Sequence, residues 1–323
     1  MVQTSNSMQS MNLPWVESPF FQQILQSKKL SAAEAALATE YHEKGYVVVK
    51  NVFSEELIDQ IIHDMKEKGF NPEYPIESFR NDIRIQDLWQ YSTPVQQMAA
   101  HPEIIKTLEM LYDREVIPFQ TLNFKVGSQQ KAHSDTMHFS SLPARYMCGV
   151  WVALEDITED NGPLFYYPGS HRTPEYNFSH FKNTVEDTTY DNYPEYETFM
   201  ENLMDVSPFQ KTKFLAKKGD ALIWSSNIIH GGSEVIDPNS TRFSQVTHYY
   251  FKDCVYYTPM LSNMVTNELY IRRFLTNIRT GEAVKNSWNG LQTKLMRTRN
   301  QLYHINNHLN LNKYLRWIAA KLN

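Results

Sequence analysis

From about Val116 onward the chain is cut into short apolar and aromatic runs: Phe119 to Val126, Met147 to Leu154, Leu164 to Tyr167, Ala221 to Trp224 and Ser244 to Phe251. Between them lie turn clusters such as Asp160-Asn-Gly-Pro163 and Pro168-Gly-Ser170. Brief runs rich in β-branched and aromatic residues, bounded by Gly, Pro and Asn, read as strands, and many short strands bury a common core by closing into a sandwich or barrel. The expectation is a mainly β protein whose core is a sandwich or barrel of jelly-roll type. With 41% hydrophobic and 13% aromatic residues in 323, that core is amply supplied.

The flanks read as helical. Ser31-Ala-Ala-Glu34 is a capping box before the alanine-rich run Ala35 to Ala38, Tyr46-Val-Val-Val-Lys50 is a short strand, and Ser54-Glu-Glu-Leu57 caps a further helix. Beyond Tyr257, Trp288, Leu291, Leu295, Thr298, Leu302, Ile305 and Leu309 follow a 3-4 spacing, which predicts a helix with one narrow apolar seam. The seam needs a partner, either the same chain, which is favoured, or a second copy in a dimer. The division expected is a helical lead-in over 1–40, a central domain over 41–257 with an insertion at 172–216, and a basic helical extension over 258–323. The insertion is rich in Tyr, Asp and Glu with little strand pattern, and long loops inside compact domains tend to be functional. It is expected to act as a lid or substrate wall, and its acidity suits a polar or cationic substrate.

The first twenty residues lack a secretory pattern, and no stretch approaches the roughly 20 apolar residues of a membrane helix. The only cysteines, Cys148 and Cys254, fit a reducing cytoplasm. Residues 265–323 hold ten basic residues against Glu268 and Glu282, a balance of +8 that leaves −13 on the other 264. Such asymmetry can mark an anionic partner but more often is a solvated face, and no nucleic-acid module accompanies it.

The chemistry-bearing pattern is His133-Ser-Asp135, answered by His230 and then Arg242. In an extended strand, residues i and i+2 share a face, so His133 and Asp135 can grip one ion while a second strand delivers His230. Two imidazoles and one carboxylate leave three positions of an octahedral ion open, the arrangement of non-haem Fe(II) oxygenases. Arg242 suits a bidentate contact to an acidic cosubstrate.

Taken together, His133-Ser-Asp135-Thr-Met-His138, Gly149-Val-Trp151, Asp160-Asn-Gly-Pro-Leu164, Pro168-Gly-Ser-His171, Lys218-Gly-Asp220, His230-Gly231 and Thr241-Arg242-Phe-Ser244 resemble the phytanoyl-CoA dioxygenase family over about Tyr41 to Tyr257. The resemblance implies a double-stranded β-helix that binds Fe(II) and 2-oxoglutarate and uses O2 to hydroxylate an unactivated carbon, releasing succinate and CO2. It implies His133, Asp135 and His230 as iron ligands, and Arg242 with Ser244 on the distal carboxylate of 2-oxoglutarate. Trp151, eighteen residues after His133, falls where the family sets an aromatic against the cosubstrate, and Ser134 completes the expected contacts. The family often has a hydroxyl residue two after the distal histidine; here that position is Gly232.

Arg84 and Gln120 are candidate substrate contacts, as is His138, which in a regular strand faces away from His133 and is then a packing residue. His171 and His248 read as structural, and Trp224 as core. Two other readings stay open: the same iron chemistry ending in desaturation, cyclisation or epimerisation, and a non-catalytic metal-binding jelly roll, for which Arg242 is the discriminating residue.

Overall fold

The computed structural model describes residues 11–181, 189–266, 268–288 and 291–292. Helices come first. α1 (Phe21–Ser27) is followed by α2 (Ala32–Lys44), where the Ser31 hydroxyl accepts from the Glu34 N–H and the Glu34 carboxylate accepts from the Ser31 N–H, as the capping box requires. Gly45 ends α2 at φ 79°, where a Cβ would also meet the His171 ring at 2.4 Å, so both conformation and space demand glycine. β1 (Tyr46–Val49) leads to α3 (Glu55–Asp64), capped by Ser54, then β2 (Arg84–Gln86), α4 (Thr93–Ala99) and α5 (Pro102–Tyr112).

The remaining strands are β3 (Val116–Phe124), β4 (Ser140–Leu142), β5 (Met147–Ala153), β6 (Leu164–Tyr166), β7 (Thr212–Phe214), β8 (Ala221–Ser225), β9 (His230–Gly232), β10 (Ser244–Phe251) and β11 (Val255–Tyr257). They form an antiparallel six-stranded sheet in the order β1-β8-β5-β10-β3-β2, a facing three-stranded sheet β7-β6-β9, and the pair β11-β4. The five apolar runs of the sequence thus all become strands of a two-sheet β fold with helices around it.

Strand alternation sorts the residues. On β10, Gln245 and Tyr249 turn outward and donate to the Val95 and Ala99 carbonyls of α4 at 3.1 and 3.0 Å. Ser244, Val246 and His248, on the opposite parity, turn inward. The larger core lies between the six-stranded sheet and α2–α5, while Trp151, Leu222, Trp224 and Val246 meet Leu164, Tyr166 and Phe214 between the sheets.

Two expectations need correction. The insertion holds a helix, α6 (Tyr193–Val206), which buries Tyr196, Met200 and Met204 against Phe165, Phe178 and Ile229. The described residues between 258 and 288 contain no α-helix: a 3-10 turn at Pro259–Leu261 is followed by isolated bridges and by β12 (Ser287–Trp288) paired with β13 (Leu291–Gln292). The half-buried Trp288 packs on the Val255, Tyr257 and Ile271 cluster, so burial against the barrel overrides a helical spacing with only two members there. The rest of the seam, Leu295 to Leu309, and with it the proposed dimer contact, lies outside the described residues. Among those described, no helix is long and apolar enough to cross a membrane.

His171 is buried between α2 and the sheets, its Nε2 on the His42 carbonyl at 3.1 Å, and burial pushes its pKa down to about 4. The unfolded chain therefore binds a proton below pH 6.5 that the folded chain refuses until about pH 4. The stability this contributes is present above 6.5 and is lost as pH falls through that window. His171→Gln is expected to remove about one proton, roughly 1.4 kcal/mol per pH unit, from the slope of unfolding free energy between pH 4 and 6.5, as read by denaturation at several pH values.

Candidate active site

His133 and His230 exchange backbone hydrogen bonds, N–H to carbonyl in both directions at 2.9 Å, an antiparallel bridge that extends the three-stranded sheet by one position. Their rings lie 4.4 Å apart. Asp135 does not continue that strand. It opens a 3-10 turn, Asp135–Met137, capped by the Ser134 hydroxyl, so a turn rather than shared strand parity brings the carboxylate to the histidines. One donor atom from each of His133, Asp135 and His230 lies within 4.8 Å of the others, and all three residues are buried.

The surroundings fix the form of each donor. His133 Nδ1 lies 2.8 Å from the Lys131 carbonyl and His230 Nδ1 3.0 Å from the Ile228 carbonyl. Carbonyls only accept, so each Nδ1 carries the proton and each Nε2 presents a lone pair. Burial lowers both pKa values to about 4, and both imidazoles are neutral donors at pH 7. Asp135 Oδ2 accepts from Trp224 Nε1–H at 2.8 Å, which leaves Oδ1, 3.8 Å from His230 Nε2, free for a cation. This is a donor set suited to Fe(II).

Arg242 is held at the base of the site. Its Nη1 donates to Ser244 Oγ at 3.0 Å and its Nη2 to the Val126 carbonyl at 3.4 Å, while its Nε is buried without a partner. The guanidinium lies 5.4 Å from the Phe124 ring and 5.6 Å from the Trp151 ring. Burial pulls its pKa down to about 10, with Glu155 acting weakly in the other direction. The Glu155 oxygens are themselves taken by Phe243 N–H and the Thr241 hydroxyl. A buried cation without an ion-pair partner in the described residues is costly unless an anion binds.

The other expected residues fall as follows. Trp151 stands beside Arg242. Ser134, expected against the cosubstrate, instead spends its hydroxyl on Thr136, Asn227 and the Ser226 carbonyl, at 2.7, 3.1 and 3.1 Å, and so holds the metal turn from behind. The parity argument for His138 fails because the 3-10 turn intervenes. Its ring lies 5.0 Å from Tyr193 and stacks 6.1 Å from Tyr190 on the insertion. Burial, then the nearby His133, Arg272 and Arg84, depress it to about 3. Gln120 Oε1 meets His248 Nδ1 at 3.0 Å, and Arg84 on β2 is paired across the sheet with Phe124.

Two residues were not read as part of the site. His248 Nε2 lies 3.8 Å from Asp135 Oδ2, and its place on the inward parity of Ser244 would have marked it. Trp224 faces Gly149 across the sheet, where a Cβ would come within 2.3 Å of the indole. A glycine inside a strand is the sign of such a close approach. Trp224→Phe is expected to weaken Fe(II) affinity on the order of 10- to 100-fold, measured by metal titration, because the ring remains but the donor orienting Asp135 is lost.

Residues 41–242 match the family described as Phytanoyl-CoA dioxygenase (PhyH). The chain is 24% identical over 267 residues to the peroxisomal phytanoyl-CoA dioxygenase of Rattus norvegicus, covering 73% of each chain. It is also 24% identical over 237 residues to the ectoine dioxygenase of Bordetella bronchiseptica, covering 66% of this chain and 74% of that one. Among solved structures, the non-heme alpha ketoglutarate dependent carbocyclase SnoK superposes with a TM-score of 0.55 at 18% identity, over 80% of this chain and 95% of the other. Apo EctD from S. alaskensis gives 0.51 at 18% identity, over 80% and 88%. These two likenesses show a shared fold.

Proposed function

This chain belongs to the phytanoyl-CoA dioxygenase family, and we propose that His133, Asp135 and His230 hold its Fe(II) while Arg242 and Ser244 hold the far carboxylate of 2-oxoglutarate. It is an Fe(II)- and 2-oxoglutarate-dependent dioxygenase acting on a small molecule. When bound, the iron couples oxidation of 2-oxoglutarate by O2, to succinate and CO2, with oxidation of a substrate C–H bond. The observation that carries the site assignment is the pairing of a buried His-Asp-His set, its imidazoles neutral, with a buried guanidinium that makes no ion pair among the described residues.

The chain's residues then divide the work. The Nδ1–H bonds of His133 and His230 hold their lone pairs toward the ion, and Trp224 fixes the Asp135 carboxylate. Trp151 and Phe124 exclude water around Arg242 and strengthen its grip on a carboxylate. His138, Tyr190 and Tyr193 wall the substrate side, Tyr193 seated at the start of α6 and Tyr190 on the 3-10 turn, Tyr190–Asn192, that leads into it. Hydroxylation is the outcome we assign, set by how these residues pose the reacting carbon. A metal-binding jelly roll without oxygenase activity would have no use for an unpaired buried Arg242. The two cysteines are free and buried, which supports a reducing, cytoplasmic setting.

The test is succinate release. Formation of succinate only when Fe(II), 2-oxoglutarate and O2 are all present supports the reading, and turnover undiminished without Fe(II) would overturn it.

A further inference from the structure

Two arginines beside the triad, Arg84 and Arg272, make no ion pair among the described residues. Arg84 extends from β2, where Ile85 is buried on the helix side, so Arg84 points to the inner face. It is paired in register with Phe124, whose ring lies under Arg242. Its guanidinium lies 5.8 Å from the Phe79 ring. Arg272 follows β11, anchored by its N–H on the Tyr256 carbonyl at 2.8 Å. Its guanidinium lies 4.8 Å from the Phe139 ring and 5.5 Å from the Phe119 ring, Nη1 reaches Thr258 Oγ1 at 3.3 Å, and Nε is buried without a partner. The Phe139 ring is in turn 4.8 Å from His248, which adjoins Asp135.

Both arginines stand close enough for their charges to act on His138 and Tyr190, the residues that stack over the substrate side. Asp87, on which the Arg272 charge acts, is engaged by Thr121 N–H, Trp89 Nε1 and Gln86 Nε2 and makes no ion pair with it. Among the described residues of the acidic insertion, Glu201 of α6 turns to Lys131 at 2.9 Å and Glu175 pairs with Arg145. The charge of these two arginines favours an anion over the polar or cationic substrate that the insertion's composition suggests.

We propose that Arg84 and Arg272 form a two-pronged anion clamp beside the metal triad, and that the substrate of this dioxygenase is a small acid carrying a carboxylate or phosphate, with an apolar body against Phe139 and Tyr193. The clamp rests on the dioxygenase reading above. Guanidinium forks match the planar oxygens of either group, and a desolvated cation without a counter-ion binds one with charge-assisted hydrogen bonds. Arg242 is reserved for 2-oxoglutarate, so the substrate acid needs its own pair.

The experiment uses the full chain, loaded anaerobically with Fe(II) and saturating 2-oxoglutarate, and titrated with benzoate, phenyl phosphate and the neutral control benzamide. Binding is read by calorimetry and by the shift of the visible charge-transfer band. At least one acid is expected to bind tenfold or more tightly than benzamide, and the preferred acid distinguishes carboxylate from phosphate. Arg84→Gln is expected to weaken acid binding on the order of 10- to 100-fold and leave benzamide unchanged. Arg272→Lys, which keeps the charge and the packing, should retain part of the preference that Arg272→Gln loses. Equal binding of acids and amide, or acid binding undiminished in a folded Arg84→Gln variant, overturns the proposal. Failure of the band to form in the parent overturns the dioxygenase reading instead, while calorimetry still reads the clamp.

Discussion

Asp135→Ala is expected to abolish Fe(II)-dependent succinate formation. The triad has one anionic member, and removing it leaves two neutral imidazoles with no charge to set against a divalent cation. The loss in metal affinity should exceed the ~10- to 100-fold typical of deleting an outer hydrogen-bond partner, since here a ligand itself is lost. The substitution also strips the buried Trp224 Nε1–H of its acceptor, which costs about 1–3 kcal/mol of stability. Asp135→Asn separates the two effects: an acceptor remains for Trp224, the fold is kept, and activity is still lost because the charge is gone. Succinate assays beside thermal melts of both variants check this.

Arg242→Met is expected to move stability and function in opposite directions. Without cosubstrate the guanidinium is buried with an unsatisfied Nε and no ion-pair partner, so an apolar side chain of similar length should raise the melting temperature of the unliganded protein. With cosubstrate, the same change removes the partner of a desolvated carboxylate, a loss of about 2–5 kcal/mol, or on the order of 30- to several thousand-fold in 2-oxoglutarate affinity. A variant that melts higher and still binds 2-oxoglutarate normally would dissociate Arg242 from the cosubstrate.

What was legible in the sequence follows from what burial demands locally. The five apolar runs became strands because strands buried on one or both faces must be apolar, and the caps at Ser31 and Ser54 formed because helix N-termini need acceptors. The Tyr196, Met200, Met204 stripe of α6 was equally regular but sat in a stretch whose acidic and aromatic composition read as loop. The 3-10 turn at Asp135 has no periodic signal, and it removes the strand parity on which the expected direction of His138 rested. Trp224 and His248 are ordinary core residues by composition; only register, Gly149 opposite the indole and Gln120 opposite the imidazole, gives them their place beside Asp135. At the C-terminal side, the seam spacing lost to local packing of Trp288, because a helical repeat of two residues carries little weight against a formed hydrophobic cluster.

The central claim is that one buried His-Asp-His set and one buried arginine together bind Fe(II) and 2-oxoglutarate. An anaerobic titration of the metal-free protein with both tests it most directly, through the visible metal-to-ligand charge-transfer band of a chelated 2-oxo acid. The account predicts a saturable band in the parent that is absent in Asp135→Ala and needs far higher 2-oxoglutarate in Arg242→Met. Iron binding without a band in the parent, or an undiminished band in Asp135→Ala, would contradict it.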